Sequence, residues 1–425
     1  MTTAVQAIRP QGKLVTRERI LAGAFILAGL VILFVFAKGL EPDQKTKFIL
    51  NPGRATVAIK LPPWVLPTQT TLYLMAGFCL AAGLSQFARG LGKWLNLVFL
   101  FVFLAFIFAF LVWAARGKSL NLVGMLQATL QRSVPIALGG LSGVLCERAA
   151  VINIAIEGMM LSAAFVAVVV GSATGNLWLG LLAAILTGAV MGLWHAWLSI
   201  RFRVDQIVSG TVINIFAAGL TSYLTSRFLV QPEYQHLNNS GVLKPIPIPL
   251  LSNIPVVGPI LFEGNAILYL MFLAIALIHV GLFYTRWGLR TIAVGEHPRA
   301  ADTLGIDVYR TRYVAVILGG MVAGLGGAYF TIGTVGRFDE LLTAGKGFIG
   351  LAAMIFGKWN PIGTFGASLI FGFADSLQTK LQILRVPIPS EFLLMAPYII
   401  TMIVLAGIIG RAIPPAADGQ PYVKE

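Results

Sequence analysis

Charge is scarce in this sequence. Only 11% of its 425 residues are charged, and acids are the rarer kind, with 17 Asp and Glu against 31 Lys and Arg. Soluble domains carry about 25% charged residues, so the chain lacks the groups needed to face water on all sides. Cysteine is nearly absent. Cys79 and Cys146 stand far apart in apolar surroundings, which excludes a disulfide framework and a CxxC site. The four histidines, His195, His236, His279 and His297, show no metal-ligand spacing. No GxxxxGK(S/T) stretch occurs: Ala344-Gly345-Lys346 lacks the earlier glycine and the following Ser or Thr, so nucleotide phosphates have no loop to rest in. HExxH and GxSxG are missing too. The expectation is a chain with no catalytic residues, no metal and no cofactor of its own.

Long apolar runs are what the chain has in plenty, with 57% of its residues hydrophobic. Ile20 to Phe36 and Leu95 to Ala115 approach or reach the ~20 residues that cross about 30 Å of hydrocarbon, and the second holds no charge. Spans are predicted near 20–37, 71–88, 95–115, 121–146, 151–171, 177–199, 206–228, 267–284 and 313–333, with a half-length run at 348–356, then 363–380 and 392–410. The fold class is all-α, a polytopic transmembrane bundle of about 10–12 spans. Two proline-rich connections, 38–66 and 229–266, cannot be helices and belong outside the hydrocarbon. Arg9, Lys13, Arg17 and Arg19 precede a full-length first run without a small-residue cleavage site, so that run reads as a retained span.

The net charge of +14 would suggest nucleic acid as a partner of a soluble protein. Here the basic residues lie between apolar runs, as membrane proteins place them, so the expected partner is the lipid bilayer and not nucleic acid. Lys and Arg collect at 285–312, with Arg286, Arg290, Arg299, Arg310 and Arg312, and at Arg201 and Arg203. Putting both segments in the cytoplasm places both termini there and 229–266 outside.

An internal repeat adds detail. Asn176-Leu-Trp-Leu-Gly-Leu-Leu resembles Asn360-Pro-Ile-Gly-Thr-Phe-Gly, Arg203-Val204 is echoed by Arg385-Val386, and the Gly-rich 137–146 by 319–328. The units, about 121–228 and 311–410, take opposite orientations by alternation. Such inverted-topology half-repeats place a transport path at their interface.

Polar side chains inside apolar runs are the candidates for that path, because polar groups in lipid face a cavity or a partner. They are Asn153 and Glu157, four residues apart and so on one helical face, with Thr211, Asn214 and Asp375. For each, an interhelical hydrogen bond is an equally good reading. Glu147 and Arg148 read as a pair at a helix end. Within 285–312, Pro298 suits a first helical turn and Gly305 a C-terminal cap. The short helix 296–305 so defined is marginal alone in water, and it is either a solvated interfacial helix or a docking element.

Two stretches together, AVGEHPRAADTLGID and GLSGVLCERAAVINIAIEGMM, resemble the permease subunits of ABC importers. The likeness is to the simple sugar and nucleoside branch, related to ribose and branched-chain amino acid permeases. The family patterns are G-x-N-P-x-A-A-x-x-x-G-I and E-x-x-G-V-I-N-I-G-I-E-G; this chain departs with His297 for Asn and with Ala150 and Ala155 for Gly. The resemblance covers about 119–411. It implies a permease that moves a nucleoside or simple sugar across a bacterial inner membrane, driven by a separate ATPase. By the same resemblance Gly295, Glu296, Pro298, Ala301, Asp302, Gly305 and Ile306 form the ATPase-coupling helix. The implied partners are cytoplasmic ABC ATPase subunits, a second permease (identical or a sibling) and an external substrate-binding protein. An ion-gradient-driven secondary transporter is the alternative. Residues 1–118 are expected to be an N-terminal extension with about three spans, and 412–425 a cytoplasmic tail.

Overall fold

A computed structural model describes residues 17–52, 60–386 and 412–424, with Pro389, Phe392 and Met395 between them. The expected span 392–410 therefore lies outside the described residues, apart from Phe392 and Met395, as do Arg9, Lys13 and Arg54. Among the described residues, eight helices are long and apolar enough to cross a bilayer, and strand occurs only as short pieces. The chain is an all-α polytopic bundle. Its contacts divide it into two compact units, one ending at Leu122 and including Lys380–Pro387, the other running from Val123 to Thr379 and including the C-terminal tail.

The first unit holds α1 (Arg17–Val31), which ends in a π turn at Ile32–Phe36, α2 (Thr68–Ala88) and α3 (Leu95–Ala114). Small residues let α1 and α2 close up, as lipid-embedded helices require: a β-carbon on Gly83 would sit 2.6 Å from Ile26 Cγ1. The connection 38–66 is more than a loop. β1 (Lys45–Ile49), β2 (Trp64–Pro67) and β3 (Ser119–Asn121) form a sheet in the order β2-β1-β3. Phe48 stands opposite Trp64 in an antiparallel register and opposite Leu120 in a parallel one. The cause is alternation, since Thr46 and Phe48 point inward between exposed lysines. Thr46 Oγ1 donates to the Val112 carbonyl at 3.0 Å, and the Phe48 ring stacks on Phe108 with centroids 5.8 Å apart.

The second unit holds α4 (Leu122–Glu147), α5 (Ile156–Thr174), α6 (Leu177–Ala196) with a π turn at Trp197–Arg201, and α7 (Gln206–Leu224) with another at Thr225–Leu229. After them come α8 (Val257–Leu261), α9 (Ala266–Tyr284), α10 (Arg286–Glu296), α11 (Pro298–Thr303), α12 (Val308–Phe330), α13 (Lys346–Phe356) and α14 (Pro361–Ile383). Within 229–266 the prolines allow only single turns, the five-residue α8 and a two-residue strand pairing of Ile246–Pro247 with Glu263–Gly264. Helix starts are set by side-chain caps: Asn176, Asp205, Asn265 and Asp307 accept amide bonds from Trp178, Val208, Leu268 and Arg310 at 2.9 to 3.1 Å.

Helix α4 is the mast of this unit. Leu138, Leu141 and Val144 on it are fully buried in one core with Met271 of α9 and Met354 of α13. On its other side α14 lies close enough that a β-carbon on Gly372 would sit 2.5 Å from the Thr129 carbonyl oxygen, and Ser376 Oγ donates to the Met125 carbonyl at 2.9 Å. The closest crossing joins α6 and α12, where Gly188 faces Gly320 and Gly324 backbone to backbone.

Candidate transport path and coupling elbow

A helix that breaks in hydrocarbon must have its freed backbone groups satisfied by protein, because no water is there to do it. That rule explains the segment between α4 and α5. The run expected as one span from 151 is irregular through Ala155, and α5 starts at Ile156. Side chains from two neighbouring helices hold it. Ile152 donates its amide to Gln206 Oε1 at 2.6 Å, and its carbonyl accepts from His195 Nε2 at 2.9 Å. A carbonyl can only accept, so Nε2 carries the proton and Nδ1 accepts from Ser209 Oγ at 3.1 Å. Asn214 closes the segment from both ends: its Nδ2 donates to the Ile154 carbonyl at 2.9 Å and its Oδ1 accepts the Gly158 amide at 2.7 Å.

Asn153 and Glu157 therefore do not share a helical face. Asn153 lies before the helix, wholly buried, and donates to Cys146 Sγ at 3.3 Å. Glu157 lies in the first turn of α5 and faces the start of α13. Its Oε1 accepts from Thr343 Oγ1 at 2.5 Å and from the Gly345 amide at 2.8 Å, and its Oε2 accepts from the Gly347 amide at 2.7 Å. The carboxylate thus fills the positive end of the short α13. Asp375 of α14 reaches the same place from the other side, ion-paired with Lys346, the first residue of α13. The structure brings these two acids to one half-length helix. Thr211 stands apart, exposed on α7, with its hydroxyl returned to the Ile207 carbonyl at 2.8 Å.

Glu147 and Arg148 do not serve each other. Glu147 Oε2 accepts from Trp359 Nε1 at 2.6 Å, and Arg148 Nε donates to the Trp359 carbonyl at 3.0 Å. Together they clamp the corner between α13 and α14, where Lys358 and Trp359 adopt φ of 56° and 52°. At the start of α4, a cleft of about 320 Å³ is lined by Gln127, Gln131, Asn265, Tyr329 and Thr334.

At the far end of α4, helices α10 and α11 meet in an elbow. His297 caps α11, with Nδ1 accepting the Ala300 amide at 3.2 Å, and Pro298 takes the first helical position. Gly305 has φ of 79°, and the Ile306 and Gly305 amides bond the Ala301 and Asp302 carbonyls at 3.1 and 2.9 Å, a Schellman ending. Gly295 is pressed onto the 147–150 turn, where a β-carbon would sit 2.3 Å from the Arg148 carbonyl oxygen. Ala301 faces inward, while Arg299 and Leu304 face out.

The C-terminal tail crosses this elbow. Its Ala417 amide donates to the Gly295 carbonyl at 3.0 Å, and its Ala416 amide to Glu296 Oε2 at 3.2 Å. Burial pushes the Asp418 carboxyl up to about 6, against the lowering effect of hydrogen bonds with Glu147 and the Gly419 backbone and of the nearby Arg312 guanidinium. Cys146 and Glu147 of α4 and Arg312 of α12 are the groups that face it. An acid whose seated pKa exceeds its free value of 3.8 binds its proton more tightly when seated, so seating strengthens as pH falls through 6. A spin label at exposed Val423 should lose mobility between pH 8 and pH 5, and Asp418→Asn should flatten that response.

The permease-component family of branched-chain amino acid transport systems matches residues 125–412, more than half of the chain. The chain belongs to this family. Among the similar proteins are the guanosine ABC transporter permease protein NupQ of Bacillus subtilis, 44% identical over 70% of this chain and 95% of its own length, and the nucleoside ABC transporter permease protein NupC of Lactococcus lactis, 41% identical over 72% of this chain and 99% of its own. The putative glucose ABC transporter permease protein TsgC13 of Haloferax volcanii is 36% identical over 61% and 78%. No solved structure matches the chain. The permease is a multi-pass membrane protein. Sequence reasoning passed over His195, Gln206, Trp359 and Tyr422. A histidine in an apolar run and a glutamine opening the next were signals for the first two; nothing local marks the others.

Proposed function

We propose that this permease is the translocation subunit of an ATP-driven importer for nucleosides or simple sugars. In this reading α11 is the element that seats in a separate ATPase. The observation that carries it is α11 itself, a short helix capped at both ends and held at the rim of the bundle with Arg299 and Leu304 turned outward, in a chain whose relatives are named as ABC permeases for guanosine, nucleosides and glucose. The assembly has two ATPase subunits, a second permease and an external binding protein. The membrane is the bacterial inner one, with both termini in the cytoplasm and 229–266 outside, in keeping with the arginines gathered around α10 and α11.

The core 119–411 is built of two inverted halves, 121–228 and 311–410, following an N-terminal extension, 1–118. Local geometry supports the halves: Asn176 and Asn360 cap their helices alike, at 2.9 and 3.0 Å, and Arg203 and Arg385 both take positive φ, 56° and 49°. Asn153, Glu157, Thr211, Asn214 and Asp375 belong to the walls of the path, most of them holding its broken helices in place. The polar cleft at the start of α4 suits the hydroxyls of a nucleoside or sugar.

The test is co-purification with the partner ATPase and ATP-dependent uptake into vesicles. Leu304 is 82% exposed, so Leu304→Arg should leave folding intact while weakening ATPase binding about tenfold or more, as loss of an interface anchor does. Ala301→Arg is a poorer probe, because Ala301 is buried and a long side chain there would unseat α11 itself. Uptake that survives ATP depletion and collapses with an ionophore would mark a secondary transporter and overturn the reading.

A further inference from the structure

A six-residue helix is marginal in water even with a cap at each end, so α11 needs a support to hold its orientation on the bundle. The structure supplies one from the opposite end of the sequence. Tyr422 is 7% exposed and forms a buried cluster with Val294 of α10, Ala301 of α11 and Val308 of α12. Its hydroxyl donates to Asp302 Oδ2 at 2.8 Å, and Lys424 Nζ stands 3.5 Å from Asp302 Oδ1. The Tyr309 ring lies 5.4 Å from its ring, with the Tyr309 hydroxyl donating to the Tyr422 carbonyl at 3.4 Å. Arg312, 2% exposed, donates through Nη1 to the Gln420 carbonyl at 3.0 Å. The bonds from Ala416 and Ala417 to Glu296 and Gly295 extend the same track to the last turn of α10. Pro414, Pro415 and Pro421 restrict the tail backbone along this path, and Gly419 makes its turn at φ of 75° against Ile152.

We propose that residues 412–424 are a strap that binds α11 to α10 and α12, with Tyr422 as its positioning residue, so that α11 and α12 move as one body. The inference rests on the reading of α11 as the ATPase seat. Tyr422 is buried and acts through Asp302 and Ala301. A loose α11 would still reach the ATPase with Arg299 and Leu304, but its motion would no longer be passed to α12.

The experiment uses the full complex with its ATPase in proteoliposomes, with guanosine as the probe solute. Tyr422→Ala should keep ATPase binding and basal ATP hydrolysis near the parent level, while guanosine taken up per ATP falls about tenfold, within the span of a single coupling interaction. Tyr422→Phe keeps the ring, loses the bond to Asp302, and should fall between the two. A ratio unchanged in Tyr422→Ala overturns the strap, and it does so independently if Leu304→Arg has weakened ATPase binding as expected. If Leu304→Arg leaves that binding intact, the ATPase-seat reading has failed first. A second variant guards against simple misfolding. The pair Asp302→Cys and Lys424→Cys also loses the Tyr422–Asp302 bond, so uncrosslinked it should resemble Tyr422→Phe. Joining the two thiols with a short reducible bis-methanethiosulfonate should bring uptake per ATP back toward the parent level, because the strap is fastened again. Loss of uptake that reduction restores would overturn the proposal.

Discussion

Gly320→Val should leave almost no folded permease in the membrane. Between lipid-embedded helices there is no hydrophobic drive to close a gap, so a close crossing depends on small residues and backbone contact. At the α6–α12 crossing a β-carbon on Gly320 would lie 2.2 Å from the Gly188 carbonyl oxygen, one on Gly188 would lie 2.1 Å from the Gly320 oxygen, and one on Gly324 would lie 2.4 Å from the Ala184 oxygen. These neighbours are main chain and cannot swing aside as a flexible side chain can. Ordinary overpacking costs about 1–3 kcal/mol through local give. Here the give must come from separating two helices over several turns, which sets the expected loss at about 4 kcal/mol or more. Even Gly320→Ala introduces the first clashing carbon and should be severe. Gly219 on α7 has nothing within 4 Å of its would-be β-carbon, so Gly219→Val should change stability by less than about 1 kcal/mol. Size-exclusion profiles of a fluorescent fusion, with thermal melting of the solubilised protein, separate the two. Equal behaviour of the Gly320 and Gly219 variants would remove the crossing from its place in the fold.

How much of this was legible from sequence depends on whether a residue's role is written in its neighbours. Spans were legible because apolar length is a local property. The short helix of the elbow was legible because Pro298 and Gly305 carry its start and stop in their own backbone preferences. Helix α10 was not; it takes in Gly295 and Glu296, so the helix expected over 296–305 runs only from Pro298 to Thr303. The small sheet of the first unit was hidden by prolines that forbid helix but not strand; the alternation of Lys45, Thr46, Lys47 and Phe48 was its one signal. Val151 to Ala155 reads as the start of a span because all its residues but Asn153 are apolar, yet Gln206, His195 and Asn214 offer its backbone better partners than a helix would. Those partners lie some fifty residues away. Tertiary hydrogen bonding overrode local propensity there, as it does wherever a membrane helix breaks. Still greater separation hid the clamp of Glu147 and Arg148 on Trp359, some two hundred residues away, and the tail, whose partners lie more than a hundred residues upstream.

Glu157 is where the site reading is most exposed to test. It was singled out as an acid costly to place in lipid, and a solute contact was one way to explain that cost. The structure offers another: three donors, two of them backbone amides that open α13, converge on its two oxygens. Hydrogen bonds to a charged group contribute about 1.5–3 kcal/mol each. Glu157→Ala, which strands all three donors away from water, should therefore cost about 4 kcal/mol or more. Glu157→Gln keeps one acceptor but sets an amide group against an N–H, for an intermediate loss. Thr343→Val, nearly the same shape at a buried position, removes one donor and should cost about 1.5 kcal/mol. If the three act as one cap, Thr343→Val should add little in a Glu157→Ala background, since the bond it removes is already gone. Solute handling gives the deciding readout. A capping acid lowers the amount of folded transporter while each folded molecule keeps its KM for solute. A solute-binding acid does the reverse, so a raised KM in a stable Glu157→Gln protein would return Glu157 to the path itself.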